Sequence, residues 1–377
     1  MKRLIVHLVL LNLALIEAFE VPEIFASRCN QSCIFEPDYL TSESIKVFPR
    51  NCSKVCAYLL IDQSSDVTES QLISEFKSVK ILYGSLQVKE TKITSGKFLE
   101  GLEVAECDNG SEILFRNNNF MTDIGFTNLT STSCSLDFRQ NISRLNLPKL
   151  RNFYTTGPED PLPTLRIEAK PPEFCVTIEE VTNFVTSDSL IITNLHGPFC
   201  PFSVSTFNDE KICTIENFSL ENFDTSCKRI IGNVTIKSGD EPYVRKLENV
   251  TWIYGTLLID RTNLTSIDFF NSLEFMAHFY SYSQFIGVFE NLELTQISFP
   301  KLKRVRSDQK FLMLLERNNA KLFDYNLCWN LKKSLNSTEW HAPSIDGKSC
   351  EEIEYVQKVS NGIQMFLVFS VLGLLNF

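Results

Sequence analysis

Twelve cysteines hold most of the reactive chemistry in this chain of 377 residues: Cys29, Cys33, Cys52, Cys56, Cys107, Cys134, Cys175, Cys200, Cys213, Cys227, Cys328 and Cys350. Thiols at such spacings either ligate zinc or pair with each other. Zinc sites recruit histidine as readily as cysteine. The four histidines, His7, His196, His278 and His341, are scattered, and none lies near the close pairs Cys29/Cys33 and Cys52/Cys56. An even set of cysteines behind an export signal reads as a disulfide framework. Carboxylates are the other candidate chemistry, because paired Asp and Glu cleave polysaccharides. Asp66, Glu69, Asp260, Asp268 and Glu274 fall near expected strand ends, form no spaced pair that recurs along the chain, and are accounted for as surface charge. The sequence shows neither a Gly-rich phosphate loop nor a catalytic-loop motif. The expectation is a protein without catalytic residues, metal or cofactor.

The export signal is the opening MKRLIVHLVLLNLALIEAFE, where Lys2 and Arg3 precede an apolar run from Leu4 to Ile16 and a small residue at Ala18. That run of about 13 residues is short for a membrane span, which takes ~20, so residues 1–18 are expected to be a cleaved signal. Outside the cell, Asn-X-Ser/Thr triplets accept N-linked glycan. Ten occur, at Asn30, Asn51, Asn109, Asn128, Asn141, Asn217, Asn233, Asn249, Asn263 and Asn336. Nine are expected on the surface; Asn141 also fits an inward position behind Leu136 and Phe138, and it cannot serve both roles.

At the other end, residues 363–377 (IQMFLVFSVLGLLNF) are apolar and uncharged, with no Lys or Arg behind them. Glycolipid attachment uses small residues, a polar spacer, then roughly 10 to 20 apolar residues. Ser360, Asn361 and Gly362 supply the small residues with almost no spacer, whereas Gly347 to Ser349 would keep a spacer and lose Cys350. A glycolipid anchor is expected, with a retained transmembrane tail or a buried C-terminal strand or helix as alternatives. The formal charge of −10 is spread along the chain, which disfavours nucleic acid as a partner and supports solubility.

The elements that position these residues repeat. At an offset of 171, Phe76–Glu103 aligns without gaps on Leu247–Glu274, with 10 of 28 positions identical, among them Tyr83-Gly84 with Tyr254-Gly255. A match of that length implies duplication of a whole domain. Each copy has a finer period, apolar-x-apolar-x-x-(Asn/Thr)-x-apolar. It fits Leu86, Val88, Thr91, Ile93 and Ile113, Phe115, Asn118, Phe120, then Leu257, Ile259, Thr262, Leu264 and Met313, Leu315, Asn318, Ala320. Alternation makes a short strand with one face inward, and Asn or Thr at the following turn satisfies backbone groups left unpaired. Stacked units of this kind form a solenoid of short parallel strands. An antiparallel sandwich would also alternate, but it does not explain the Asn/Thr position or the coil Leu147-Pro-Lys-Leu150, echoed by Phe299-Pro-Lys-Leu302.

With the duplicated Tyr-Gly-x-Leu, the Asn/Thr ladder, the Pro-Lys-Leu coil and the closing cysteine pairs in view, the chain resembles the ligand-binding L domains of the insulin and EGF receptor family. It looks most like the nematode set of secreted or membrane-tethered proteins with two such domains. The resemblance implies a mainly β protein of two tandem single-stranded right-handed β-helix L domains, stapled by disulfides. It implies pairs Cys175–Cys200, Cys328–Cys350 and Cys213–Cys227, leaving Cys107 with Cys134, and Cys29, Cys33, Cys52 and Cys56 pairing among themselves in an open order. The expected organisation is signal 1–18, a Cys-containing segment 19–49, a first L domain 50–200, a linker 201–226 with Cys213, a second L domain 227–350, and a spacer with apolar tail 351–377. The cysteine-rich module and kinase of the receptors have no counterpart in this sequence.

The function implied is extracellular binding: of insulin-like or EGF-like peptides, or of a receptor carrying the same domain, as decoy or co-receptor. An adhesive coat protein and a polysaccharide-active β-helix enzyme are the alternatives. Among the 30 phenylalanines, the cluster Phe275, Phe279, Tyr280, Tyr282 and Phe285 has more aromatic surface than one strand buries and is the candidate contact patch.

Overall fold

The computed structural model describes residues 23–108, 111–139, 142–169, 174–201, 205–279, 285–307, 312–335 and 343–360. Residues 1–18, expected to be an export signal, the apolar stretch 363–377, Asn109, Asn141, Asn336, Tyr280 and Tyr282 lie outside the described residues. Contacts divide the chain into two compact units. One takes the described residues up to Phe174 with Asp188–Ile191; the other takes Cys175–Ser187 and the described residues from Ile192 onward. The division falls at Phe174, ahead of the expected domain boundary at residue 200, because the segment from Cys175 packs within the second unit.

The first unit opens with helix α1 (Glu23–Arg28) and contains α2 (Glu69–Phe76). Its strands are β1 (Ile34–Phe35), β2 (Lys54–Ile61), β3 (Ile81–Lys89), β4 (Val104–Glu106), β5 (Glu112–Arg116), β6 (Ser131–Thr132), β7 (Ser135–Arg139), β8 (Asn152–Phe153) and β9 (Thr164–Ile167). All pair in parallel, β1-β2-β3 running on through β5-β7-β9 and, from the first half of β3, through β4-β6-β8. Register places Leu59, Leu86, Ile113, Leu136 and Leu165 in one row and Ile61, Val88, Phe115, Phe138 and Ile167 in the next. None of the ten is more than 1% exposed. A fully buried side chain of this size contributes about 1.5–3 kcal/mol, so the alternation read from the sequence is the main source of cohesion.

Helix α3 (Ile178–Thr186) and strand β10 (Ile191–Leu195) follow. The second unit then continues through β11 (Thr206–Phe207), β12 (Glu210–Thr214), β13 (Arg229–Ile231), β14 (Val234–Lys237), β15 (Trp252–Tyr254), β16 (Leu257–Asp260), β17 (Ser266–Ile267), β18 (Phe275–His278), β19 (Ile286–Phe289), β20 (Gln296–Ile297), β21 (Arg304–Ser307), β22 (Met313–Glu316), helix α4 (Tyr325–Ser334) and β23 (Ser344–Ile345). Two parallel sheets, β12-β13-β15-β18-β21 and β14-β16-β19-β22-β23, carry the core, with β11 antiparallel to β12. Ile236, Ile259, Val288, Leu315 and Ile345 form one inward row, each 2% exposed or less.

The Tyr-Gly pair marks the corner between the two faces. A Cβ on Gly84 would lie 2.1 Å from the Ala57 carbonyl oxygen, and one on Gly255 would lie 2.1 Å from that of Gly232. Only glycine lets the neighbouring backbone approach so closely, at φ of +127° and +159°.

The Asn/Thr positions form the expected hydrogen-bonded ladder. Asn118 Oδ1 accepts from Thr91 N at 3.0 Å and Thr91 Oγ1 at 2.8 Å, while its Nδ2 donates to Val88 O at 2.8 Å. In the second copy Asn291 does the same between Thr262 and Ile259 O, and Asn318 Oδ1 accepts from Asn291 N at 2.9 Å. Immediately before each ladder residue the chain turns through a left-handed residue: Glu90, Asn117, Arg261, Glu290 and Arg317 have φ of 51–56°. Such backbone costs about 1–2 kcal/mol per residue, which the ladder bonds offset. The last template position is corrected by the structure. Phe120 is 61% exposed and Ala320 is exposed, while Met121 and Leu322 turn inward in their place, each 1% exposed.

Six disulfides bind the chain: Cys29–Cys56, Cys33–Cys52, Cys107–Cys134, Cys175–Cys200, Cys213–Cys227 and Cys328–Cys350. No helix among the described residues is long and apolar enough to cross a membrane.

Candidate binding face

Register carries a set of aromatic and charged side chains to the outer side of the first unit. Cys56, Tyr83 and Glu106 are neighbours across β2, β3 and β4, and Tyr58 follows Cys56 at the alternate, outward position. Tyr83 is 1% exposed beneath α1: Phe25 meets its ring edge-on at 6.0 Å, and Arg28 and Lys54 lie 5.7 and 5.4 Å from its centroid. The bridge Cys29–Cys56 fastens that helix to β2.

Around Tyr83 the groups are half-buried. Lys54 Nζ is 3.0 Å from Glu106 Oε2, the Tyr154 hydroxyl donates to Glu106 Oε1 at 3.4 Å, and the Tyr58 hydroxyl donates to Asp108. Burial, with the Glu106 carboxylate beside it, pushes the Tyr154 phenol up to about 12. Burial and the bond to Asp108 push Tyr58 higher still. Both phenols therefore stay protonated donors at neutral pH. Beside them opens a cavity of about 170 Å³, lined by Asp108, Glu112, Ser133, Thr155 and Asp160 among others. Its walls offer carboxylates and hydroxyls, and the Cys107–Cys134 bridge holds one of its sides.

The second copy places a comparable cluster on β13, β15 and β18, but closes it. The Arg229 guanidinium lies 4.9 Å from both the Phe207 and Trp252 ring centroids and donates to Glu210 at 2.6 Å. Trp252 stacks on Phe275 at 4.4 Å and on Tyr254 at 5.0 Å. Residues of the α3 segment cover these rings. Phe199 meets Tyr254 edge-on at 5.6 Å, and Arg304 Nη1 donates to the Val185 and Ser187 carbonyls at the end of α3, the first at 3.0 Å. A cation at a helix C-terminus is well placed for the helix dipole. Arg229, Trp252 and Tyr254 are 5%, 3% and 1% exposed, so this cluster is packing and not a free surface.

The expected contact patch is corrected accordingly. Phe279 and Phe285 are 2% and 1% exposed and belong to the core, because the chain enters a second strand, β19, directly after Phe285. Tyr280 and Tyr282 lie outside the described residues, and Phe275 alone is partly exposed, with Lys303 5.6 Å from its ring. The five carboxylates each have a partner of their own. Asp66 accepts from Ser42, Glu69 from Thr94, Asp260 pairs with Arg261, Asp268 with Arg245 and Glu274 with Lys303. Among the described residues one His/Cys/Asp/Glu group has metal-ligand spacing, Cys213, Asp224 and Cys227. Its sulfurs form a disulfide and its carboxylate is held by Lys211 at 2.6 Å.

Of the asparagines expected to accept glycan, Asn30, Asn51, Asn217, Asn233, Asn249 and Asn263 are exposed, and Asn128 is half-buried with Nδ2 donating to Glu100 O at 2.8 Å. Six disulfides are a feature of a protein that folds in an oxidising compartment.

No curated protein matches the chain. The family model for the receptor L domain matches twice, over residues 51–186 and 226–337, well over half of the chain. The first match ends at the last residue of α3 and the second at residue 337, shortly after α4 and outside the described residues. The duplicated corner glycines, the ladders and the disulfides agree with this match: the chain belongs to the receptor L domain family and carries two copies of that domain.

Proposed function

We propose that this is a non-catalytic extracellular binding protein, and that the outer face of its first unit, centred on Tyr58, Glu106, Asp108 and Tyr154, takes a protein or peptide partner. The observation that carries this reading is the pair of half-buried tyrosines beside an open cavity lined with carboxylates. Tyrosine contributes large contact area at low entropic cost and a hydroxyl for orientation, and aromatic anchors dominate most binding energies. The parallel rows, corner glycines and ladders support reading each domain as a short single-stranded right-handed β-helix with a flat outer sheet. Family membership suggests insulin-like or EGF-like peptides, or a receptor built on the same domain, as the partner class, with the protein acting as decoy or co-receptor. In the same reading residues 1–18 direct export, the exposed acceptor asparagines carry glycan, and the tail 363–377 directs attachment of a glycolipid at the cell surface. Co-precipitation of the purified protein with such peptides and receptor ectodomains tests it. Retention of at least one supports the reading, and retention of none counts against it.

A further inference from the structure

A second cavity, of about 650 Å³, opens at the edge of the first unit's sheet and shares no lining residue with the cavity beside Tyr58. Strand β1 pairs on one side only, with β2. From Phe35 to Tyr39 the chain takes four steps where β2 takes three, from Ala57 to Leu60, so the edge bulges at Pro37. Beyond the bulge Leu60 N donates to Asp38 O at 2.8 Å and Leu40 N to Leu60 O at 2.9 Å, which turns the backbone of Tyr39 away from β2. The Tyr39 carbonyl accepts from Ser44 Oγ at 2.7 Å, and its N–H has no acceptor among the described residues. The 3-10 turn Ser44–Val47 supplies the facing wall through Val47.

The walls are apolar and the charge beside them is of one sign. Phe35 is 2% exposed, with the Phe48 ring 5.3 Å from its own, whereas Tyr39 and Val47 are 51% and 67% exposed. Glu36 and Asp38 also line the cavity, are exposed, and have no cation among the described residues. The cation of the turn, Lys46, is taken by Glu43 at 2.6 Å. The cleft is also held in shape: Ser42 N donates to Asp66 Oδ1 at 2.7 Å, and the Cys33–Cys52 bridge fastens the residue before β1. A cleft already in shape loses little on ordering when it binds.

We propose that this cleft holds a short segment of a partner protein in which a bulky apolar residue stands next to lysine or arginine. Its volume falls within the roughly 300–1,000 Å³ of sites that hold ligands. The apolar side chain would lie against Tyr39 and Val47, the cation would meet Glu36 and Asp38, and the Tyr39 N–H would donate to a carbonyl of the segment. Strand addition along the whole edge is opposed by Pro37, which has no N–H, and by the two flanking charges. The same charges decide against a second copy of this chain: two such edges would set carboxylates against carboxylates, in a chain whose formal charge is −10.

Random short peptides displayed on phage are selected on the purified full chain, and enriched ones are measured as free peptides by calorimetry. Enrichment of sequences that set a bulky apolar residue beside Lys or Arg is expected. Their affinity should fall about tenfold or more with Glu36→Lys and Asp38→Lys together, and likewise with Tyr39→Ala. Tyr58→Phe with Tyr154→Phe should leave it in place, which separates this cleft from the face centred on Tyr58. Glu36, Asp38 and Tyr39 are exposed, so circular dichroism of these variants should match that of the parent. No enrichment, enrichment of acidic peptides, or binding that the charge reversal leaves unchanged would overturn the proposal. Peptides lost with the tyrosine pair alone would belong to the other face and also overturn it. Self-association of the parent in sedimentation that Glu36→Lys with Asp38→Lys abolishes would overturn it in favour of a second copy.

Discussion

Arg229 Nη1 donates to the Tyr254 hydroxyl at 2.6 Å, and that hydroxyl is 2.7 Å from Thr182 Oγ1, which in turn donates to Ile178 O at 2.7 Å. The donors must run in one direction: arginine to phenol, phenol to threonine, threonine to carbonyl. This line ties α3 to β15 across the covered aromatic cluster. Tyr254→Phe removes the middle of it, leaving one guanidinium hydrogen without its acceptor and Thr182 Oγ1 with its bond to Ile178 O but no donor. A loss of about 1–3 kcal/mol in chemical denaturation is expected. A variant as stable as the parent would show that the line contributes nothing.

Asn291 makes the larger contribution of the ladder residues in the second copy. It is 0% exposed and serves Thr262, Ile259 O and Phe289 O at once. Asn291→Ala leaves several buried backbone groups unsatisfied and should cost about 3 kcal/mol, against about 0.5 kcal/mol or less for a surface change such as Asn222→Ala. Equal midpoints for the two variants in urea would contradict the ladder's role.

Alkaline titration should reveal the held phenols. Burial keeps Tyr254 and Tyr154 up at about 12 against the ordinary 10.0, and Tyr58 higher. The folded state binds these protons more tightly than the unfolded chain. Their contribution to stability is therefore whole below pH 10 and is lost as the pH climbs from 10 toward 12. Phenolate absorbance should rise in two stages, the later one together with loss of circular dichroism. A single stage centred at 10 with the fold intact would be the contrary result.

Cys33–Cys52 is the bridge whose two residues are both partly exposed, whereas at least one cysteine of each other bridge is buried. Access governs the rate of thiol exchange. Graded reduction followed by alkylation should label Cys33 and Cys52 first, before Cys328 and Cys350, which are both 0% exposed. Labelling in the reverse order would contradict the exposure argument.

The inward rows and the ladder were legible in the sequence because they depend on local spacing: Leu86 and Val88 face in, and Thr91 follows two residues after the strand. Asn291 follows the same spacing behind Ile286 and Val288, but the template asked for an apolar residue two places later, and Glu293 stands there. Phe120 and Ala320 show that this last position is not constrained. The aromatic patch was misread for the opposite reason. Counting rings along one stretch cannot show that Phe279 and Phe285 sit beside different strands and both turn inward. Tyr58 had a signal, as the outward residue between buried Ala57 and Leu59. Tyr154 had none, since only the register of β8 on β6 brings it to Glu106.

The most direct test of the central claim is surface plasmon resonance of the purified protein against insulin-like and EGF-like peptides and against ectodomains of receptors with the same domain. Binding to at least one is predicted, weakened tenfold or more, about 1.4 kcal/mol, by Tyr58→Phe with Tyr154→Phe, in a variant whose circular dichroism shows the fold retained. No binding to any of them, or binding that the double substitution leaves unchanged, would contradict the account.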